Sequence, residues 1–147
     1  MSVLIKVTAE EGTWGWGETY GIVAPEAVTA LIDDVLGPVI LGRDPRDATA
    51  IHEDLYDLMR VRGASGGFWG DAIAGIDIAL WDLAGKLSGL PVRQAAGRPA
   101  HGARAGLRFR PAGQDTRRQG GAGARFRGAR VHRVQVRGGG VVRGHRR

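Results

Sequence analysis

From Val3 to Thr8 the side chains alternate, with Val3, Ile5 and Val7 on one face and Leu4, Lys6 and Thr8 on the other. A period of two with β-branched residues on one side is the pattern of a half-buried strand. Glu10, Glu11 and Gly12 supply turn chemistry, and Thr13 to Glu18 returns with Trp14 and Trp16 on one face, so an antiparallel hairpin is expected. A lone hairpin is marginal in water and has to pack on something.

The period then changes. Pro25 suits the first turn of a helix, and Ala27, Val28, Leu31, Ile32 and Val35 recur at helical spacing until Gly37 and Pro38, which are expected to stop it. A second helix is expected from near Asp44 and Pro45, or from Asp47, burying Ile51, Leu55, Leu58 and Met59. Gly63 to Gly70 reads as a glycine-rich connector. A third helix, Asp71 to about Leu87, has its main apolar face in Ile73, Ile76, Leu80, Leu83, Ala84 and Leu87, and ends at Gly89 and Pro91. Ala74, Ile78, Trp81 and Gly85 form a second strip on this helix, with Asp77 between the two. A helix needing cover on two sides is normally sandwiched between layers, and a body this small offers only one other layer. The predicted fold class is α+β: an antiparallel β-hairpin or small sheet followed by three helices.

Charge divides the chain. The formal net charge of the 147 residues is +6, yet the residues up to Gly97 carry 14 acidic against 7 basic groups. The last 50 hold 14 Arg against one acid, Asp115, together with 11 of the 25 Gly and only 8 Leu, Ile, Val or Phe. That apolar share is below the roughly 20% that a packed core needs, so residues 98–147 are expected to form a disordered Arg/Gly-rich tail behind an acidic body. The length excludes a complete large enzyme barrel, which needs roughly 200 to 400 residues. The absence of cysteine removes disulfides, thiolate metal sites and a Cys nucleophile. Lys6 and Glu10 interrupt any signal-peptide core, and no run of about 20 apolar residues exists to span a membrane, so a cytoplasmic protein without membrane partners is expected.

Candidate chemistry is sparse. Gly15, Gly17 and Gly21 miss the spacing of a dinucleotide-binding set and read as a strand end and a turn. The Gly63 to Gly70 loop lacks the Lys-Ser/Thr ending of a phosphate loop. His52, Glu53 and Asp54 lack the four-residue His pair of a zinc helix and read as a solvated face, and Asp33 with Asp34 as an ordinary acidic pair. Asp77 is the carboxylate in apolar company. It reads either as a catalytic acid or metal ligand, or as a buried group hydrogen-bonded to a neighbouring loop or helix end. No catalytic or metal-binding set is assigned.

Ala72 to Gly97, AIAGIDIALWDLAGKLSGLPVRQAAG, closely resembles the signature near the end of the N-terminal capping domain in the mandelate racemase and muconate lactonizing enzyme group of the enolase superfamily. VLIKVTAEEGTWGWGET is similar to that domain's second and third strands, so residues 1–97 resemble a partial capping domain beginning after the family's first strand. Ala95 and Ala96 depart from the pattern, which has two Leu or similar residues there. The resemblance implies a cap over a modified (β/α)8 barrel that carries three acidic Mg²⁺ ligands and Lys or His acid/base groups, with proton abstraction α to a carboxylate. The implied parent is a homo-oligomeric acid-sugar dehydratase, with Mg in the complete enzyme and none in this chain. The second cap loop would be Thr19 to Ala24, placing Tyr20, with Thr19 beside it, near substrate; packing within the loop is the competing role. The implied barrel is the missing partner of Ile78 and Trp81. With neither that barrel nor a first strand, the body is expected to be marginally stable, with one sheet edge exposed.

The tail admits three accounts, the blandest being that the basic tail simply associates with the acidic body. Arg, Gly and Ala without Lys is what high-GC codons yield out of frame, and rereading from Ala95 with free third bases permits a product that begins with the two missing Leu and continues as strand, amphipathic helix and strand. Alternatively the tail is a nucleic-acid-binding arm, whose Arg would attract phosphate in a salt-dependent way while only Phe109 and Phe126 are available to stack.

Overall fold

The computed structural model describes residues 2–64, 66–97 and 129–138. Strands β1 (Ser2–Ala9) and β2 (Trp14–Tyr20) form the expected hairpin. Val3 faces Thr19, Ile5 faces Gly17 and Val7 faces Gly15 on the inner side, while Leu4 faces Glu18, Lys6 faces Trp16 and Thr8 faces Trp14 on the outer side. Val3, Ile5 and Val7 are fully buried, as their alternation requires.

A third strand, β3 (Val131–Gly138), pairs antiparallel with the other edge of β1, giving the order β2-β1-β3. This corrects the expectation of disorder for part of the tail; residues 98–128 and 139–147 lie outside the described residues. Val134 pairs with Val7 and Val136 with Ile5, and both pack against the core. A register shift at Thr8 and Ala9 lets Val131, paired with Ala9, be buried as well. The open edge of β1 also gains ladder partners for its N–H and C=O groups, and the two gains together order a segment whose average composition is unfavourable. The exposed sheet edge expected beside β1 is therefore covered. Backbone bonds anchor the entry to β3, with the Val131 N–H donating to the Arg43 carbonyl at 2.9 Å and the Gly42 N–H to the Val131 carbonyl at 2.8 Å.

Helix α1 (Pro25–Ala30) starts at Pro25 as expected, but Gly37 and Pro38 do not end it. The chain continues through a π-helical stretch, Leu31–Leu36, into α2 (Gly37–Ile40). The Gly37 N–H reaches back to the carbonyl of Ile32, and this wider turn accommodates a proline that has no N–H and crowds the preceding turn. Asp44 accepts the Arg46 N–H at 3.0 Å and opens a 3-10 turn, Pro45–Asp47, that leads into α3 (Ala48–Arg60). Helix α3 buries Ala48, Ile51 and Leu55 and packs Met59 against the core, whereas Leu58 is exposed, contrary to expectation. Leu58 turns away because α3 meets the body along a narrower stripe than its apolar residues span.

Helix α4 (Phe68–Ser88) begins at Phe68 rather than Asp71 and lies across the inner face of the sheet. Its main face is buried as expected through Ile73, Ile76, Leu80, Leu83 and Ala84. Gly89 closes it in the left-handed region at φ 63°, with the Leu90 N–H donating to the Gly85 carbonyl at 2.9 Å. A short α5 (Val92–Ala95), not anticipated, brings the Val92 side chain beside Gly85.

The contact between α4 and β2 is made by backbone. A Cβ on Gly17 would sit 2.0 Å from the Gly75 carbonyl oxygen, and one on Gly15 would sit 2.2 Å from that of Ala79. Gly17→Ala is expected to destabilise the protein by about 1 to 3 kcal/mol through overpacking. Gly70→Ala, in the first turn of the same helix with nothing within 4 Å of the new methyl, is expected to stabilise it by up to about 1 kcal/mol. Urea unfolding of the two variants checks these opposite signs.

Candidate functional site

Thr19 and Tyr20, expected in a loop, are the last two residues of β2. Thr19 faces inward and is buried, and its hydroxyl donates to the Asp71 carbonyl in the first turn of α4. That bond ties the end of the strand to the helix, a structural role that sequence spacing does not disclose. Tyr20 is 55% exposed and leads into a tip where Ile22 and Val23 are exposed as well. Of the two, Tyr20 alone presents its polar group outward, where a phenol can donate to or accept from a ligand hydroxyl. A cleft of about 630 Å³ lined by Glu11, Thr13, Lys86 and Ser88 lies beside the hairpin turn, at the far end of β2 from Tyr20.

Asp77 has a partner that the sequence reading missed. The Nδ1 of His52, on α3, lies 3.5 Å from Asp77 Oδ1 on α4. The two are far apart in sequence on different helices, so no local spacing could have linked them. Burial pushes the Asp77 carboxyl above its ordinary range, and the neighbouring His52 pulls it back. Asp33 is also raised, first by burial and then by the charge of Asp34. Asp44 is lowered, chiefly by its side-chain hydrogen bond to Arg46.

These carboxylates do not make a magnesium site. Asp54 pairs with Arg43 at 2.9 Å, Asp57 with Arg60 at 2.7 Å and Asp82 with Lys86 at 2.7 Å. Among the described residues no group of three or more His, Cys, Asp or Glu side chains could hold a metal ion. Hard divalent cations need converging oxygens, and here Asp54, Asp57 and Asp82 each face a cation of their own instead of one another. The divalent ion implied by the resemblance therefore does not fit this donor set. Among the same residues no helix is long and apolar enough to cross a membrane.

The raised Asp77 carboxyl has a signed consequence for stability. A carboxylate that binds its proton more tightly folded than unfolded weakens the fold once it ionises, and the penalty disappears below the unfolded value of 3.8. Asp77→Asn is expected to stabilise the protein at pH 7, with a gain that shrinks as pH falls toward 4. His52→Ala, which removes the compensating group, should cost stability at pH 7. Denaturant melts of the three proteins between pH 4 and 7 measure both trends.

The comparisons agree with this architecture. The model of the mandelate racemase / muconate lactonizing enzyme N-terminal domain matches residues 1–97. A D-galactonate dehydratase family member from Streptomyces sp. (strain SPB074) is 38% identical over 96 residues, covering 65% of this chain and 21% of that protein. D-galactarolactone cycloisomerase from Agrobacterium fabrum is 39% identical over 95 residues, covering 65% and 24%. A crystal structure of an enolase superfamily member from Agrobacterium tumefaciens superposes with a TM-score of 0.64 at 58% identity, covering 65% of this chain and 25% of that one. The chain thus spans about a quarter or less of the length of these relatives. By its first 97 residues it belongs to the mandelate racemase / muconate lactonizing enzyme family, as the N-terminal domain of an enolase-superfamily enzyme.

Proposed function

We propose that residues 1–97 serve as the cap of an acid-sugar dehydratase in which the proton is abstracted α to a carboxylate by groups outside this chain. One observation carries the reading: the family match coincides with a folded body in which no described group of acids could hold a metal ion, and in which Asp54, Asp57 and Asp82 are each paired with a cation. Such a body can shape and close a substrate pocket, while among the described residues no group of side chains could hold a metal ion. Tyr20 is the residue we place against the substrate, at an open end of β2. Thr19 acts behind it by fixing the strand to α4. Magnesium, an acid-sugar substrate, homo-oligomeric assembly and a cytoplasmic setting belong to the complete enzyme in this reading.

The tail enters as the product of a shifted reading frame. The support is the departure at Ala95 and Ala96 followed at once by Arg/Gly-rich sequence without Lys. The nucleotides around the Gln94 codon test this directly; an uninterrupted frame shared with sequences that carry the same tail would overturn it.

Two outcomes test the cap. The 147-residue chain with Mg²⁺ and D-galactonate is expected to show no dehydration in a keto-acid assay, and measurable turnover would refute the reading. Replacing the matched segment of a D-galactonate dehydratase family relative with residues 1–97 is expected to retain dehydration. In that chimera Tyr20→Ala should raise KM severalfold with its fold unchanged by circular dichroism, whereas an unaltered KM would remove Tyr20 from the substrate.

A further inference from the structure

Apart from Tyr20 at its end, the outer face of the sheet has no role in the proposed cap, yet it is a distinctive surface among the described residues. Three strands present their outward side chains in register: Trp14, Thr8 and Arg133 in one row, Trp16, Lys6 and Gln135 in the next, and Glu18, Leu4 and Arg137 in the third. Trp14 is 42% exposed, and Arg133, Gln135 and Arg137 are exposed beside it. The two indoles meet edge to face, with centroids 6.0 Å apart and planes at 73°. Lys6 Nζ lies 5.3 Å and 5.8 Å from the two rings, and Lys86 Nζ lies 4.2 Å from Trp14. A recess of about 120 Å³ opens between Lys6, Trp16, Gln135 and Arg137.

We propose that this face binds single-stranded nucleic acid, with bases stacking on Trp14 and Trp16 and phosphates held by Lys6, Arg133 and Arg137. The chemistry selects the class of ligand. Aromatic rings give bases a sequence-tolerant stacking surface, and flanking cations track the backbone. A duplex hides its base faces, and an acidic peptide uses the cations while leaving the indoles idle. Charge complementarity is local: the body is acidic overall, but Glu18 is the one acid among the outward residues of the three rows, with Glu10 and Glu11 at the hairpin turn bordering one end. The site exists only because β3 pairs with β1, since that pairing sets Arg133 and Arg137 on the same face as the two Trp. It differs from general attraction by the tail's 14 Arg, which needs no aromatic surface. It is also independent of the capping role, which the chimera tests without the tail.

The test uses the full chain and a 12-nucleotide oligo-dT, with the matching duplex, polyphosphate and polyglutamate as comparators. Oligo-dT is expected to bind and to quench tryptophan fluorescence, with an affinity that falls log-linearly with salt at a slope of about −0.7 per phosphate contacted. Trp14→Ala should weaken oligo-dT binding about tenfold or more while leaving polyphosphate binding unchanged. The pair Arg133→Gln and Arg137→Gln should flatten the salt slope by more than one unit. Trp16→Phe, which keeps a stacking ring and guards against a folding defect, should retain most of the affinity. Equal affinity for duplex or polyglutamate, or a Trp14→Ala variant that binds oligo-dT like the parent, would overturn the proposal.

Discussion

How closely α4 can approach β2 governs the rest of the body. The helix backbone rests on Gly15 and Gly17, and the sheet returns the contact at Gly75, where an added Cβ would lie 2.4 Å from Ile5 Cδ1 on β1 and 3.0 Å from Thr19 Cβ on β2. Two polar ties fix this approach along the strand. The Trp16 N–H donates to Asp82 Oδ2 at 2.8 Å, and the Thr19 hydroxyl donates to the Asp71 carbonyl. A strand that must carry Gly, Gly and Thr on its inner side can place bulk only on the other. The period of two then puts Trp14, Trp16 and Tyr20 on the outer face, so a constraint inside the core dictates the chemistry of the surface.

Those glycines also show where sequence reasoning reached and where it stopped. Their spacing excluded a dinucleotide loop, but nothing local reveals that a helix backbone sits on them, because that is a tertiary fact. Alternation in β1 and the 3.6-residue repeat of α4 were legible because each element buries a continuous face. The π-helical stretch was not. Gly37 and Pro38 are genuine stop signals, overridden because Ile32, Leu36 and Ile40 are all fully buried and continuing the helix keeps them so. His52 with Asp77, and Thr19 with Asp71, are cross-element pairs that no spacing rule contains.

Strand β3 is the sharpest case. Averaged over 50 residues the tail lacks the apolar content for a core, yet eight of those residues, VHRVQVRG, are enough to complete a sheet that already has one. Composition describes whether a segment can fold by itself, and an edge strand does not have to. It borrows the β1 ladder and the body's apolar face, contributing Val131, Val134 and Val136 in exchange for the entropy of bringing a segment distant in sequence back to β1. That entropy grows only with the logarithm of loop length, at about 0.6 kcal/mol per doubling, so a distant strand is nearly as usable as a near one.

The two-sided character of α4 is narrower in the folded chain than on a helical wheel. Gly85, at one end of the second strip, is buried against Leu90 and Val92, and Trp81 is partly packed against the core. What stays open is centred on Ile78, 50% exposed and next in sequence to Asp77. Covering Ile78 with another surface would further desolvate that carboxylate, and removing water from an ion raises its cost faster than it strengthens a single long contact. The 3.5 Å pair with His52 then matters more, because it is the contact already in place to offset the penalty. A surface able to seat on this strip has to bring apolar area for Ile78 and a hydrogen-bond donor for Asp77 together, a requirement that a purely greasy neighbour does not meet.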